Sequence, residues 1–383
     1  MSIGMILLFM SALFQKNLTM KFRSFLRTPH LLLLSLYFVL MSVTFLWSRN
    51  THYFLERIQI MLPFLVLPFA FHCINNWKIK WYQNLFLFFI ISVQLGIIWS
   101  LSLYFSDKEM YDTGYSYSRV IPTPFKGDHI RFSLAVVASI CFSVFLALKT
   151  SKRWLKVVLI CLAALSITYL HILSVKSGLL AFYMLAFVFI IRILLMNKYR
   201  KYAIVALSLL LFTPFVMYKL SASFRNKLSY IEYSIYEMRN GDLQSNISDE
   251  GRLISFRFAI EIIKQSPIIG VGLGDVEDEM DIRFKRDVPS FNGRALLPHN
   301  QFLMIGVAFG VFGIVYLVLL QLALIWHAKR NDFLYSIIWL MLIFAMMIEP
   351  LYETQYGTCL YLFLLLLTYK NGLQTNANQP LQL

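Results

Sequence analysis

Residues 296–313 read LLPHNQFLMIGVAFGVFG, and the apolar run that starts there continues to residue 327. About 20 apolar residues suffice for a helix that crosses a bilayer, so this stretch predicts a membrane-spanning helix. Pro298, His299 and Asn300 stand at its beginning. An ionisable side chain at membrane depth is a candidate functional residue. The role of His299 therefore depends on which other polar groups lie on the same side of the membrane.

The composition extends this interpretation to the whole chain. Hydrophobic residues make up 58% of the 383 residues and charged residues 14%, whereas soluble domains carry about 25% charged residues. The sequence therefore predicts an all-α polytopic membrane protein with about 10–12 transmembrane helices and one long periplasmic loop that contains amphipathic helices. The apolar runs that serve as predicted spans are 31–47, 58–74, 82–105, 130–148, 157–173, 178–196, 202–218, 301–327, 333–348 and 356–369, with a weak one at 3–14.

The net charge of +15 is concentrated in short loops on alternate sides of these runs. The positive-inside rule places the basic loops in the cytoplasm, and this distribution argues against nucleic acid as a partner. The basic loops are 15–30, 75–81, 149–156, 197–201 and 328–332. The loops predicted to lie outside are 48–57, 106–129, 174–177, 219–300 and 349–355.

The long outer loop 219–300 is interpreted as a periplasmic subdomain embedded in a single transmembrane domain of residues 1–383. Within it, RLISFRFAIEIIK (252–264) carries apolar residues at helical spacing, namely Leu253, Phe256, Ile260 and Ile263. Such an amphipathic helix either lies at the membrane surface or covers a cavity between spans. Pro267 ends the helical pattern, and GVGLG (270–274) has no strand–turn–helix context. We interpret GVGLG as a structural turn rather than a phosphate-binding loop.

The outer loops and span ends collect the candidate functional residues. They are His129, Arg131, Lys176, Arg252, Arg257, His299, Asn300, Glu349 and Glu353. Structural alternatives stay open for most of them, including His299, which could itself cap the next helix. Lys176 is also explained as a lysine that reaches the headgroups, His129 and Arg131 as anchors of a helix end, and Asn300 as a helix cap. The two glutamates are also explained as ion-pair partners of an arginine.

The combination of SVKSGLLAF (174–182), GRLISFRFAIEIIKQSPIIGVGLGD (251–275) and LPHNQFLMIGVAFGVFG (297–313) closely resembles the O-antigen ligase and polymerase superfamily. The resemblance covers residues 120–370. It implies a bacterial inner-membrane glycosyltransferase whose active site faces the periplasm. The implied reaction transfers a glycan from an undecaprenyl diphosphate carrier to an acceptor hydroxyl, with neither metal nor cofactor.

The resemblance also implies roles for individual residues. Lys176 stands where the family usually has arginine in a short turn, Arg252 falls on the arginine before the loop helix, and His299 falls on the histidine of a His-Asn pair. A diphosphate leaving group needs fixed positive charge, which Arg252 and Lys176 are predicted to supply. Arg131 and Arg257 are further candidates.

His299 is the predicted catalytic base, because an imidazole titrates near neutral pH. Glu353, Asn300 and His129 are predicted to orient this base or to bind the acceptor. The favoured acceptor is lipid A–core, which makes the chain a ligase. A polymerase that joins repeat units, an enzyme that attaches glycans to protein, a transporter of lipid-linked sugars and a metal-dependent hydrolase remain alternatives. The predicted partners are the lipid-linked donor, the glycan acceptor and membrane lipids.

Overall fold

A computed structural model describes residues 3–74, 78–117, 119–124, 128–240, 248–288, 296–326 and 333–378. Parts of the predicted outer loop (241–247 and 289–295) and the whole of the predicted basic loop 328–332 lie outside these ranges. Within the described ranges the regular structure is helical, which confirms the predicted all-α class. The α-helices are α1 Ile3–Leu13, α2 Leu18–Leu26, α3 Pro29–Val43, α4 Thr51–Cys73, α5 Ile79–Ser106, α6 Lys108–Gly114, α7 His129–Lys149, α8 Arg153–Leu173, α9 Lys176–Leu194, α10 Arg200–Leu220, α11 Ala222–Asn240, α12 Ser248–Gln265, α13 Val276–Asp287, α14 Gln301–Trp326, α15 Phe333–Ile348 and α16 Gln355–Asn378.

Eight helices of the described chain are long and apolar enough to cross a membrane. They are α3, α4, α5, α7, α8, α9, α10 and α14. The pair α1 and α2 adds a ninth candidate, which is bent by 109°. The predicted spans 333–348 and 356–369 are helical as α15 and α16 but are not among these candidates. The chain is a multi-pass membrane protein. Its described part holds eight or nine helices that meet this criterion, whereas the predicted number of about 10–12 spans also counts the runs of α15 and α16.

The chain divides into two compact units, each of which is described by itself. The first unit comprises Met1–Tyr82 and Gln244–Leu383, and the second comprises Gln83–Leu243. The interpretation of residues 1–383 as a single transmembrane domain stays a prediction.

Aromatic residues fill the centre of the first unit. Tyr352, in the turn between α15 and α16, packs against Phe64 of α4 at a centroid distance of 4.7 Å and against Tyr361 of α16 at 4.9 Å. Tyr37 of α3 lies 4.8 Å from Phe64. All four rings are buried, and burial raises the pKa of Tyr352 well above its ordinary value. This cluster supports the turn that carries Glu349 and Glu353.

Helix α14 is interrupted near its middle, where the backbone leaves the helical conformation at Phe309 and Gly310. Gly310 has a φ of 64°, which side-chain-bearing residues rarely adopt. The interruption frees carbonyl groups that normally accept from the next helical turn. The turn after α12 provides hydrogen-bond partners for the backbone at this interruption. Two freed carbonyl groups accept from it, Val307 from Val271 N–H (2.9 Å) and Ala308 from Gly272 N–H (3.0 Å). In addition, Val311 N–H of α14 donates to the carbonyl of Pro267 (2.8 Å).

The same turn is bound on its other side by the connection between α3 and α4. Asp275 Oδ1 accepts the backbone N–H groups of Arg49 and Asn50, both at 2.8 Å. Thr44 Oγ1 and Ser48 Oγ accept the N–H groups of Leu273 and Gly274, at 3.1 and 3.0 Å. The amides of GVGLG are thus used inside the fold, in agreement with its interpretation as a structural turn. The turn fixes the C-terminal end of α12, the helix that carries Arg252.

The second unit is built around α7, in which 14 of the 21 residues are buried. Gly178 of α9 lies so close to α7 that a Cβ at this position would meet Ser133 Oγ at 2.5 Å. Phe142 of α7 stacks on Phe86 of α5 with centroids 4.4 Å apart. These close contacts hold the start of α9, where Lys176 lies.

Candidate functional site

Two side chains of the first unit, Arg252 and His299, meet at the carboxylate of Glu349. Arg252 donates from Nη2 to Glu349 Oε1 at 2.8 Å. Nδ1 of His299 lies 3.3 Å from Glu349 Oε2. The Glu349 side chain is only 3% exposed, whereas the side chains of Arg252 and His299 are 25% and 22% exposed. A buried carboxylate is stable only when paired, so Glu349 joins the arginine and the histidine into one cluster and leaves both partly accessible from outside.

Asn300 fixes the position of His299 at the start of α14. Its Oδ1 accepts the N–H groups of Phe302 and Leu303, at 2.8 and 3.1 Å, which is the geometry of a helix cap. Its Nδ2 donates to the carbonyl of Met347 at 2.8 Å, next to the end of α15. Both ends of the Asn300 amide are therefore used within the fold. These contacts agree with the interpretation of Asn300 as a helix cap, and its role in acceptor binding stays a prediction.

Arg252 is placed by the packing of α12 against α14. The buried face of α12 consists of Gly251, Ser255, Phe258, Ala259 and Ile262. Two of the apolar residues in the predicted pattern, Leu253 and Ile260, are not on this face and are 57% and 44% exposed. Three residues of this face, Gly251, Ser255 and Ala259, are small, and a Cβ at Gly251 would meet the Leu296 side chain at 2.6 Å.

Glu353 was predicted to orient the imidazole or to bind the acceptor. In the structure Glu349, not Glu353, faces His299. Glu353 is buried, and its backbone carbonyl accepts a hydrogen bond from Arg57 Nη1 at 3.0 Å. Acceptor binding by Glu353 stays a prediction.

Arg57 is a candidate that the sequence interpretation missed. Its guanidinium carbon lies 4.8 Å from the centre of the Tyr53 ring, and its side chain is 16% exposed. Its Nε has no hydrogen-bond partner among the described residues. The only sequence signal was a single arginine at the start of an apolar run, which is the ordinary pattern of a span end. The contact with Glu353, 296 residues along the chain, is visible only in the fold.

Arg257 lies on the outer surface of α12. Its side chain is 70% exposed, and its Nε donates to Glu261 Oε1 at 3.1 Å. The structure does not bring Arg257 into the cluster around Glu349. Its predicted role in diphosphate binding is untested.

The other predicted residues belong to the second unit. Arg131 is buried and pairs with Asp128, with Nη1 and Oδ1 3.2 Å apart. Asp128 also caps α7, because its Oδ1 accepts the Arg131 N–H at 3.3 Å. His129 is the first residue of α7. The structural role predicted for this helix end thus accounts for the main contacts of Arg131.

Lys176 begins α9 after a sharp turn at Ser174, which has a φ of 50°. The end of the preceding helix is held by three side chains that donate to its last carbonyl groups. They are Ser174 to His171 (2.5 Å), Ser223 to Ile172 (3.0 Å) and Tyr115 to Leu173 (3.0 Å). Lys176 therefore projects from a rigid turn. Its diphosphate-binding role stays a prediction.

Residues 161–318 match a family model described as O-antigen ligase. The resemblance to the O-antigen ligase superfamily is confirmed. The segment that matches the O-antigen ligase model contains Lys176, Arg252 and His299, and it ends before Glu349 and Glu353. The match supports O-antigen ligase-family activity in general, and members of the family are membrane glycosyltransferase-like enzymes. No curated protein matches the chain at a significant level.

Proposed function

We propose that this protein transfers a glycan from undecaprenyl diphosphate to a sugar hydroxyl of lipid A–core, on the periplasmic side of the bacterial inner membrane. The observation that carries the proposal is the sharing of one buried carboxylate, Glu349, by Arg252 and His299. A guanidinium suited to diphosphate and an imidazole suited to proton transfer are thereby held side by side.

His299 is the proposed catalytic base and acts through Nε2. When Nδ1–H donates to Glu349, the imidazole is held in the tautomer whose Nε2 carries a lone pair. This lone pair takes the proton of the acceptor hydroxyl as the oxygen attacks the anomeric carbon. The bond between that carbon and the diphosphate oxygen breaks, and its electron pair leaves with the diphosphate. Attack from the opposite face inverts the anomeric configuration.

Arg252 is the proposed stabiliser of the leaving diphosphate. A guanidinium can give two parallel hydrogen bonds to phosphate oxygens, and its partial exposure leaves it open to a ligand. Arg57 adds a second positive charge in the same unit. Neither step requires a metal or an organic cofactor, because the diphosphate is already an activated leaving group.

The remaining predicted residues keep their proposed roles as separate hypotheses. Lys176 and Arg131 are proposed to bind diphosphate, with Arg257 as a weaker candidate because of its exposed ion pair. His129 and Glu353 are proposed to contact the acceptor.

The test is complementation of a deletion strain with the full-length chain. We expect His299→Ala and Arg252→Ala to abolish glycan transfer. The matched controls are His52→Ala, whose side chain is 87% exposed, and Lys264→Ala, an exposed position on the same helix as Arg252. Both controls are expected to complement fully. Full complementation by His299→Ala would refute the assignment of the base.

The same strain separates the ligase from its alternatives. Loss of a ligase leaves finished polymer on undecaprenyl diphosphate, whereas loss of a polymerase leaves single repeat units there. A transporter of lipid-linked sugars predicts that the donor accumulates in the cytoplasmic leaflet. Accumulation of single repeat units would replace the ligase proposal with the polymerase.

A further inference from the structure

The second helix of the chain, α2, runs almost across the direction of α1. The two helices meet at an angle of 109°, and Asn17 at the junction has a φ of 60°. A spanning helix continues along its axis through the membrane, whereas a helix at about a right angle to its neighbour is suited to lie along a membrane surface.

One side of α2 is fixed to the end of α4. Lys21 donates from Nζ to the carbonyl of Cys73, the last residue of α4, at 2.9 Å. Phe25 is 4% exposed and packs edge-on against Phe69 at a centroid distance of 5.4 Å. A lysine at a helix C-terminus is favoured by the helix dipole. The orientation of α2 is therefore set by the fold before any ligand binds.

The opposite side of α2 is exposed and combines apolar and basic residues. Met20 and Leu26 are 62% and 47% exposed, and Phe22, at the edge of this side, is 50% exposed although its ring also packs edge-on against Phe69 at a centroid distance of 5.9 Å. Arg23 lies among them and is exposed, as is Arg27 directly after the helix. The sequence holds no Asp or Glu before Glu56, so no acidic residue of this first segment neutralises the two guanidinium groups.

We propose that this exposed side of α2 is a binding surface for anionic phospholipid. Arg23 and Arg27 bind the phosphodiester of the headgroup, and Met20, Phe22 and Leu26 contact the upper acyl chains. A guanidinium pairs with phosphate through charge-assisted hydrogen bonds, and basic residues at a membrane surface select anionic lipids. A soluble phosphate would leave the three apolar side chains in water, so the combination favours a lipid. The positive-inside rule assigns this surface to the cytoplasmic leaflet.

The experiment uses the full-length protein in nanodiscs of phosphatidylcholine with a trace of photoactivatable phosphatidylglycerol. Cross-linked peptides are mapped by mass spectrometry, and unlabelled phosphatidylglycerol as competitor gives an apparent affinity at α2. We expect Arg23→Gln/Arg27→Gln to weaken this affinity by about tenfold or more, because one basic residue near an anionic surface contributes roughly a fivefold effect. Arg23→Lys/Arg27→Lys keeps the charge and should retain most of the affinity.

The matched control is Lys264→Gln/Lys285→Gln, which removes the same charge from exposed positions of α12 and α13. It should leave the labelling of α2 unchanged. Equal affinity of the wild type and the Arg23/Arg27 double variant would overturn the proposal, and so would equal labelling by photoactivatable phosphatidylcholine. Competition with glycerol 3-phosphate at millimolar concentration distinguishes binding of a lipid headgroup from binding of a soluble phosphate. If it displaces the lipid, the surface binds a soluble phosphate and the lipid proposal fails.

Discussion

Nδ1 of His299 lies 3.3 Å from Oε2 of Glu349, fifty residues further along the chain. The other oxygen of the same carboxylate binds Arg252 at 2.8 Å. One side chain thus positions both the proposed base and the proposed diphosphate ligand. Any change at Glu349 is expected to disturb both functions.

Glu349→Gln tests the orienting role of the carboxylate. The glutamine amide places an N–H donor against either Nδ1 of His299 or the guanidinium of Arg252. If it donates to Nδ1, the proton moves to Nε2 and the base is lost. We expect transfer to fall by about 10²–10⁴-fold, as for other catalytic histidines held in the wrong tautomer. The rate is measured in membranes that contain accumulated donor.

Glu109→Gln is the matched control for this substitution, because Glu109 is an exposed carboxylate on α6 with no proposed role in the site. It should transfer at the wild-type rate. A wild-type rate for Glu349→Gln would show that the imidazole needs no carboxylate partner.

Arg252→Ala tests the other half of the cluster through stability. The substitution leaves the buried Glu349 without its arginine, and an unpaired buried charge is destabilising. Because Arg252 is a quarter exposed, water replaces part of the lost interaction, and we expect a loss of about 1–2 kcal/mol. The measurement is thermal unfolding in detergent.

The double variant Arg252→Ala/Glu349→Ala distinguishes pairing from packing. Its melting temperature should fall by less than the sum of the two decreases that the single variants show. The reason is that the second substitution removes the carboxylate that the first one leaves unpaired. Strict additivity would mean that the two side chains contribute independently.

Two substitutions of Asn300 distinguish its role as the cap of α14 from its hydrogen bond to the end of α15. Asn300→Ser keeps an oxygen that can cap α14 and loses the bond to the Met347 carbonyl, whereas Asn300→Ala loses both. Loss of a cap costs about 1 kcal/mol, so the alanine variant should be the less stable of the two. Both should transfer more slowly, since His299 is the neighbouring residue. An alanine variant with wild-type stability and rate would remove Asn300 from this role.

The site was only partly predictable from the sequence. His299 and Arg252 were predicted because they fall in the stretches that carry the family resemblance. For Glu349 the sequence suggested only an ion pair with an unspecified arginine. Arg57 was not selected, because an arginine at the end of a span is ordinary. Their roles depend on contacts across 97 and 296 residues of chain, which no local pattern encodes.

The fold shows a similar division between local and tertiary signals. Apolar runs predicted the long helices, because the requirement to satisfy backbone groups in lipid is local. The break at Gly310 was not predicted, since its freed carbonyl groups are satisfied by a turn some forty residues earlier. The apolar spacing in 252–264 predicted the helix α12, but the side that packs inside the fold also includes Gly251, Ser255 and Ala259, which the apolar pattern does not mark.

Gly310→Ala tests the backbone hydrogen bonds between the interruption of α14 and the turn after α12. A Cβ at this position would collide with the carbonyl oxygen of Ile268, and the backbone has a positive φ. The positive φ alone costs about 1–2 kcal/mol, and the collision adds to it, so we expect unfolding several degrees below the wild type. Gly4→Ala is the control, because nothing lies within 4 Å of the added atom. Equal melting temperatures for both variants would contradict the close packing of Gly310 against the turn after α12.

Lys176 differs from the arginine that the family resemblance implies at this turn, and the substitution Lys176→Arg tests whether charge alone matters. The turn is rigid, and the side chain at 176 is half-buried at the start of α9. A bidentate guanidinium serves a diphosphate at least as well as a lysine does, so Lys176→Arg should complement the deletion strain. Lys176→Ala should lose transfer without unfolding, whereas Lys152→Ala, in an exposed basic loop, should have no effect. If Lys176→Ala complements fully, the lysine has no part in diphosphate binding, and its position reflects the headgroup contact that the sequence equally allows.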